Sequence, residues 1–165
     1  MPHRLSFGLQ PSRLSGYRRT GATATPFGVV ELGKHGGHEV TVVGDGVPTV
    51  HVDDLLLPDG GTRILVRPGR ITVDDEVGTL SQRRGLRLLR AAKAVTAQVG
   101  GRTYDVRMTG LNVVAVTRAG HGRVAAQRAF SRLRVESRAD ATDLAVSLAL
   151  TDAIERDALS VVPGG

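Results

Sequence analysis

Two glycine-containing segments have spacings that could bind phosphate groups. Residues 28–34 match a nucleotide phosphate-binding loop up to Lys34, but His35 stands where that loop needs serine or threonine to hold Mg²⁺. Residues 120–125 imitate a dinucleotide-binding fingerprint, yet Glu136 follows too soon for the helix and second strand that such a fold requires. We therefore expect a strand at the first segment and a glycine-rich hairpin turn at the second.

Side chains that could bind a metal ion occur close together between residues 35 and 53. His35 and His38 flank a Gly-Gly pair, and His51 and Asp53 follow downstream. A zinc site needs three or four converging ligands with supporting hydrogen bonds, and two histidines beside such a turn are more often exposed loop residues. The sequence therefore predicts neither a metal site nor another cofactor.

The residue patterns that support covalent catalysis are missing. The chain contains no cysteine, which excludes a thiol nucleophile, a thiolate zinc site and a disulfide framework. No serine lies in a G-x-S-x-G elbow, and no motif places an acid beside a base. We expect a protein without catalytic residues, which is not an enzyme.

The densest basic run, residues 83–93, could bind anions. On a helix, three of its arginines would share a narrow arc opposite Leu88 and Leu89, which is the layout of a helix at a membrane surface. Arginine makes bidentate contacts with the phosphates of lipid headgroups or nucleic acids. The alternative is a solvated face whose arginines lie over apolar neighbours. The candidate anion-binding residues are Arg83, Arg84, Arg87 and Arg90.

The overall charge is modest evidence for an anionic partner. The formal net charge is +6 and the isoelectric point is about 10.9, but Lys34 and Lys93 are the only lysines among 22 basic residues. Such a preference for arginine is what a GC-rich genome produces. The distribution is more informative, because residues 63–138 hold 16 basic and 5 acidic residues.

The chain does not have the pattern of a membrane-spanning protein. No apolar run approaches the roughly 18 residues that a spanning helix needs, because Asp152 and Glu155 interrupt the best candidate. The absence of cysteine suits a reducing compartment. We expect a cytoplasmic protein that associates with a membrane only peripherally, at the inner face.

Short segments with a period of two recur along the chain and predict an all-β fold. Glycine-rich turns separate these segments at the spacing expected of all-β folds. Each strand is expected to have one polar face and one face in the core. The alternation is cleanest at residues 70–73, 95–99, 103–108 and 132–136.

A hydrophobic C-terminal helix is predicted over residues 140–158. Asp140 is its expected N-cap, and Asp143 also lies at the positive end of the helix dipole. The first half is apolar on every side, so the helix has no single core-facing stripe and has to be enclosed. We expect a closed antiparallel barrel of about 10–12 short strands around it. The helix residues expected in the core are Leu144, Val146, Leu148 and Leu150.

The alternative architecture is a helix that rests on one face of an open sheet. Ser147, Thr151 and Glu155 are spaced four residues apart and would form its solvent-exposed side. This polar line is narrow, which favours the enclosed helix.

The first 26 residues differ in composition from the rest. They contain arginine, serine, threonine and three prolines but no acid, and no apolar stretch follows the arginines as a secretory signal requires. We expect residues 1–26 to be a disordered N-terminal tail and residues 27–160 to form a single domain.

Two segments carry a resemblance to a known family. Residues 71–79, ITVDDEVGT, are similar to a strand, acidic turn and following strand of the tubby C-terminal-like superfamily, which includes LURP-one-related and phospholipid-scramblase-like proteins. The apolar ending at residues 139–150 resembles the C-terminal helix of that family. The resemblance covers residues 27–160 and implies a barrel of about twelve strands around the helix. The aromatic residues common in such barrels are mostly missing here.

Members of this family include phosphoinositide binders and proteins linked to lipid scrambling, but a fold does not carry function with it. We expect a non-enzymatic barrel protein whose basic rim, Arg83, Arg84, Arg87 and Arg90, binds anionic lipid headgroups at the cytoplasmic membrane face. An arginine-rich nucleic-acid-binding protein or a protein scaffold is the alternative. The scarcity of aromatic residues argues against recognition of single-stranded nucleic acid.

Overall fold

The structure, a computed structural model, describes residues 4–8, 10–12, 19–35, 39–53, 68–82, 94–128, 132–154 and 159. These residues form one antiparallel sheet and one C-terminal helix, which confirms the predicted β-rich fold. The elements are β1 (Arg4–Gly8), β2 (Gln10–Ser12), β3 (Arg19–Thr25), β4 (Gly28–His35), β5 (Glu39–Gly44), β6 (Val50–Asp53), β7 (Gly69–Val73), β8 (Glu76–Gln82), β9 (Val95–Val99), β10 (Arg102–Gly110), β11 (Val113–Arg118), β12 (Gly122–Arg128), β13 (Arg132–Glu136) and α1 (Ala141–Ala153).

The strands follow one another in a meander. From β2 to β13, each strand pairs with the next one in sequence, and β1 pairs with β13. The order of the sheet therefore begins with β1 and ends with β2. These two edge strands are separated in the chain by Leu9 alone.

The segments with clean alternation form strands, as predicted. Residues 70–73, 95–99, 103–108 and 132–136 lie in β7, β9, β10 and β13. Successive side chains of a strand point to opposite faces of the sheet, so the apolar members of each segment share one face and are buried in the core. The buried members are Ile71, Val95, Ala97, Val99, Tyr104, Val106, Leu133 and Val135.

The start of α1 confirms the predicted cap. Asp140 is the N-cap and accepts a hydrogen bond from the backbone of Asp143, whose side chain accepts one from the backbone of Asp140 in return. The helix ends at Ala153, earlier than the predicted residue 158, because Ile154 adopts an extended backbone with φ −94° and ψ 119°. Residues 155–158 lie outside the described part of the chain.

The helix is buried around its whole circumference. The predicted core residues Leu144, Val146, Leu148 and Leu150 are at most 1% exposed. Ser147 and Thr151, the expected wet side of the alternative architecture, are also buried, and Thr151 Oγ1 donates to the carbonyl of Ser147 at 2.7 Å. The helix packs against β5 and β6 and also against β11 and β12, which lie toward opposite edges of the sheet.

The N-terminal segment differs from the disordered tail that we expected over residues 1–26. The strands β1, β2 and β3 lie there and pair with β13, β3 and β4. Pairing of this kind uses backbone N–H and C=O groups, so it does not need the apolar composition on which the expectation was based.

The two ends of the sheet are distinct. In an antiparallel meander, consecutive turns lie alternately at opposite ends. We call the end where α1 begins the near end; it carries the turns at residues 74–75, 100–101 and 119–121. The opposite end, which carries the turn at residues 111–112 between β10 and β11, is the far end.

Candidate functional site

The predicted anion-binding residues, Arg83, Arg84, Arg87 and Arg90, lie outside the described residues. They belong to residues 83–93, which connect the last residue of β8 to Ala94 before β9. Since β8 begins at the near end, this connection joins the two strands at the far end.

Three described arginines lie on the outer face of β10, β12 and β13, and we call Arg107, Arg128 and Arg134 the basic wall. Arg107 of β10 and Arg134 of β13 occupy one register row with two alanines, Ala115 and Ala126, between them. Three strand spacings of about 4.8 Å place these two arginines about 14 Å apart. Arg128 is exposed at the last position of β12.

The guanidinium group of Arg107 is poorly satisfied within the fold. Its Nη2 lies 3.4 Å from Oδ2 of Asp105, and its Nε is buried without a hydrogen-bond partner among the described residues. Asp105 also accepts a hydrogen bond of 2.7 Å from Thr96. The Arg107 side chain is 40% exposed, so the outer part of its guanidinium group can meet an external anion.

A buried carboxylate at the near end joins α1 to the sheet. Asp143 is fully buried and accepts hydrogen bonds from three side chains of β10 and β11. Tyr104 donates to its Oδ1 at 2.7 Å and Arg102 at 3.0 Å, while Arg118 donates to its Oδ2 at 2.9 Å. Asp140 also binds Arg102, at 2.8 Å. We call these five residues the near-end cluster.

The electrostatics of the near-end cluster suit a structural clamp. The hydrogen bond from Arg102 lowers the pKa of Asp140 from 3.8 to about 2, and the same contact raises the pKa of Arg102 above its usual range. Burial, reinforced by the hydrogen bond to Asp143, raises the pKa of Tyr104. Tyr104 therefore acts as a fixed hydrogen-bond donor. The shifted pKa values of Tyr104, Arg102 and Asp140 all lie far from neutral pH, so none of these groups is suited to proton transfer there.

A shallow cleft of about 360 Å³ lies beside this cluster at the near end. Its lining includes Asp74 and Asp75 of the turn between β7 and β8, Glu76 of β8, Arg102 and Thr142. All three acids are exposed, and Arg102 is occupied by the carboxylates of the near-end cluster.

The histidine segment forms a polar group on the outer face of β5, β6 and β7. His51 Nε2 lies 3.2 Å from Glu39 and 3.6 Å from Asp53, and its Nδ1 lies 2.8 Å from Thr41 Oγ1. Arg70 Nε donates to Asp53 at 2.8 Å, and this hydrogen bond lowers the pKa of Asp53. Asp53 is thus neutralised by an arginine rather than available to a cation.

The side chains of the other two members of that segment, His35 and His38, are not among those described. His35 is the register partner of Glu39 at the end of β4, and His38 lies outside the described residues. Within the described ranges, no group of three or more histidine or carboxylate side chains is arranged to hold a metal ion.

The two phosphate-loop imitations are regular structure. Residues 28–34 lie within β4, and residues 120 and 121 lie in the turn between β11 and β12, which begins at Gly122. Both outcomes match the sequence-based expectation of a strand and a hairpin.

The near-end cluster was not found by sequence reasoning, apart from the two capping acids. A signal existed, because a hairpin centred on residues 111–112 brings Arg118 opposite Tyr104. The hydrogen bonds from this hairpin to Asp143 depend on how α1 packs against the sheet, which no local sequence pattern specifies.

No protein-family model, curated protein or solved structure matches the chain. In the part of the chain that the structure describes, no helix has the length and apolar character needed to cross a membrane. The candidate function therefore depends on the geometry of the fold and on the charges of its far end.

Proposed function

We propose that the sheet closes into a barrel around α1, with β1 and β2 acting as a single strand that joins its two edges. Gly8 and Gln10 are two residues apart, which limits their Cα separation to about 7 Å. β1 pairs with β13 while β2 pairs with β3, and β1 also contacts β3. The burial of α1 on every side supports the closure, because one open layer would leave a flank of the helix wet.

We propose that this tubby-like barrel is a binding protein without catalytic activity. Small barrels that hold a ligand usually hold it in the interior. Here α1 fills that space: Leu144, Val146 and Leu148 are each at most 1% exposed inside the sheet. A ligand would therefore bind on the outer surface.

The ligand we propose is an anionic lipid surface at the cytoplasmic face of a membrane, bound at the far end. The predicted anion-binding residues Arg83, Arg84, Arg87 and Arg90 belong to the connection that starts and finishes there. The observation that carries the proposal is the basic wall, which extends positive charge along the outer face toward the same end. Each arginine near an anionic bilayer contributes about 1 kcal/mol of attraction.

Vesicle flotation at two salt concentrations tests this function. The wild-type protein should float with vesicles containing phosphatidylserine, should stay behind with phosphatidylcholine alone, and should dissociate as salt is raised. Arg87→Gln combined with Arg90→Gln should reduce flotation. The matched control removes two near-end charges, Arg123→Gln and Arg138→Gln, and should float like wild type. Equal recovery with neutral vesicles would reject the proposal.

Nucleic acid is the alternative anionic ligand. Tyr104 is buried and Phe27 is half-buried, so neither offers an open stacking surface for unpaired bases. A gel shift with random duplex DNA separates the two ligands, because duplex binding should fall steeply with the logarithm of salt concentration. We expect no shift at concentrations that saturate anionic vesicles.

A further inference from the structure

We infer that the β10–β11 turn is a membrane-insertion point, with Leu111 entering the headgroup and acyl boundary while the basic wall contacts lipid phosphates. This inference rests on the proposed lipid-binding function and adds an orientation: the far end faces the bilayer, and the outer face of β10 to β13 touches it.

Leu111 is unusually placed for a large apolar residue. It is 89% exposed, more than any other large apolar side chain in the described ranges. The other exposed members, Val29, Val43 and Val77, lie within strands, whereas Leu111 lies at the tip of a two-residue turn. Core packing therefore does not hold Leu111 at this position.

The backbone holds Leu111 outward. Asn112, the second residue of the turn, adopts the left-handed conformation with φ 61°, which is one that asparagine tolerates better than most residues. The register of β10 shifts between Met108 and Gly110 as the strand enters the turn. A bulge next to a turn is a common device for re-aiming a side chain.

The charges near the tip match an anionic bilayer. Val113, two residues after Leu111, is the register partner of Arg128. Two residues of strand span about 7 Å, so an inserted tip would bring Arg128 to the depth of the headgroups, since apolar groups of peripheral proteins enter about 5–10 Å. Arg107 and Arg134 lie further along the same face.

The described carboxylates of the far end lie elsewhere. Glu39 and Asp53 are on β5 and β6, and Asp53 is neutralised by Arg70. The outer face of β10 to β13 therefore presents the leucine and the arginines to the membrane, with Asp105 as the carboxylate beside Arg107 and already bound by Thr96. A nucleic acid would use the same arginines but has no use for an isolated leucine at their tip.

A single-cysteine fluorescence experiment tests the insertion. The chain has no cysteine, so Leu111→Cys introduces a unique thiol for an environment-sensitive dye such as NBD. The matched control is Val77→Cys, because Val77 is 69% exposed and lies in β8 beside the near end. Vesicles of phosphatidylcholine and phosphatidylserine should shift the dye at position 111 to shorter wavelength and leave the dye at position 77 unchanged.

A second variant measures how much the tip contributes. Leu111→Ser should weaken partition into anionic vesicles about tenfold, since the transfer of a leucine side chain out of water is lost. The residual binding should remain sensitive to salt. Because position 111 is exposed, the variant should have the circular dichroism and thermal midpoint of wild type.

The outcomes separate this inference from the proposed function. If wild type floats with anionic vesicles while the dye at position 111 stays unshifted and Leu111→Ser binds normally, the insertion is wrong and lipid binding stands. If the dyes at positions 111 and 77 shift equally, the orientation is wrong. If wild type does not float at all, both proposals are wrong, and a partner protein with a pocket for Leu111 becomes the better explanation.

Discussion

Tyr104 donates its phenolic hydrogen to Asp143 across 2.7 Å, and both side chains are fully buried. The pair joins β10, near its start, to the first turn of α1. Arg102 and Arg118 donate hydrogen bonds to the same carboxylate. α1 is therefore fixed at its first turn by a buried polar cluster, and most of its other buried side chains are apolar.

Removing the phenolic hydroxyl should destabilise the fold moderately. Tyr104→Phe keeps the ring in the core but leaves Asp143 without one of its three side-chain donors, which should cost about 1–3 kcal/mol. Urea denaturation measures this change, with Thr109→Ala, an exposed change on the same strand, as the control. A loss below about 0.5 kcal/mol, the range of ordinary surface substitutions, would contradict the clamp.

Neutralising the buried carboxylate should cost more. Asp143→Asn leaves the guanidinium groups of Arg102 and Arg118 facing an uncharged amide, and breaking a buried ion pair from one side typically costs about 3–5 kcal/mol. Arg102 is 31% exposed, so water offsets part of the loss and we expect the lower end of this range. Stability equal to that of wild type would mean that apolar packing alone holds α1.

Acid should weaken the near-end cluster in a defined window. The pKa of Asp140 is lowered from 3.8 to about 2 in the folded state, so its ionised form stabilises the fold above pH 3.8 and this contribution is lost as pH falls toward 2. The effect is modest, because Asp140 is 48% exposed. Urea midpoints measured from pH 7 to pH 2 should fall less steeply for Asp140→Asn than for wild type below pH 4. Parallel curves would exclude Asp140 as a source of the acid sensitivity.

Truncation inside the helix should open a cavity. Leu148 is 1% exposed, so Leu148→Ala should cost about 2–5 kcal/mol. Val77→Ala, at a position that is 69% exposed, is the control and should change stability by less than about 0.5 kcal/mol. If thermal unfolding shows equal midpoints for the two variants, the helix is not enclosed.

Close packing between β8 and β9 should make Gly78 intolerant of a side chain. A Cβ at this position would overlap the carbonyl oxygen of Gln98 and would lie 2.6 Å from Cβ of Val99. We expect Gly78→Ala to lower the denaturation midpoint, with a cost of about 1–3 kcal/mol for the overpacking. Gly110→Ala is the control, because nothing lies within 4 Å of a Cβ there. Equal midpoints for the two variants would contradict the described approach of the strands.

Local patterns were sufficient for the features that depend on local physics. The alternation around Tyr104 and Val106 and the capping role of Asp140 were readable because strand period and helix caps depend on neighbouring residues. The pairing of β1 with β13 and the meeting of Arg118 with Asp143 were not readable, since both depend on which distant segments the fold brings together. The end of α1 at Ala153 had no glycine to mark it.

The pairing of Arg4 with Glu136 has a consequence for how the chain matures. During synthesis β1 leaves the ribosome before β13 exists, so its hydrogen-bonding edge has to wait for a strand made much later. Contacts this far apart in sequence slow folding and leave intermediates prone to association. We expect nascent chains that lack β13 to be held by chaperones or degraded, because β1 then has no partner strand.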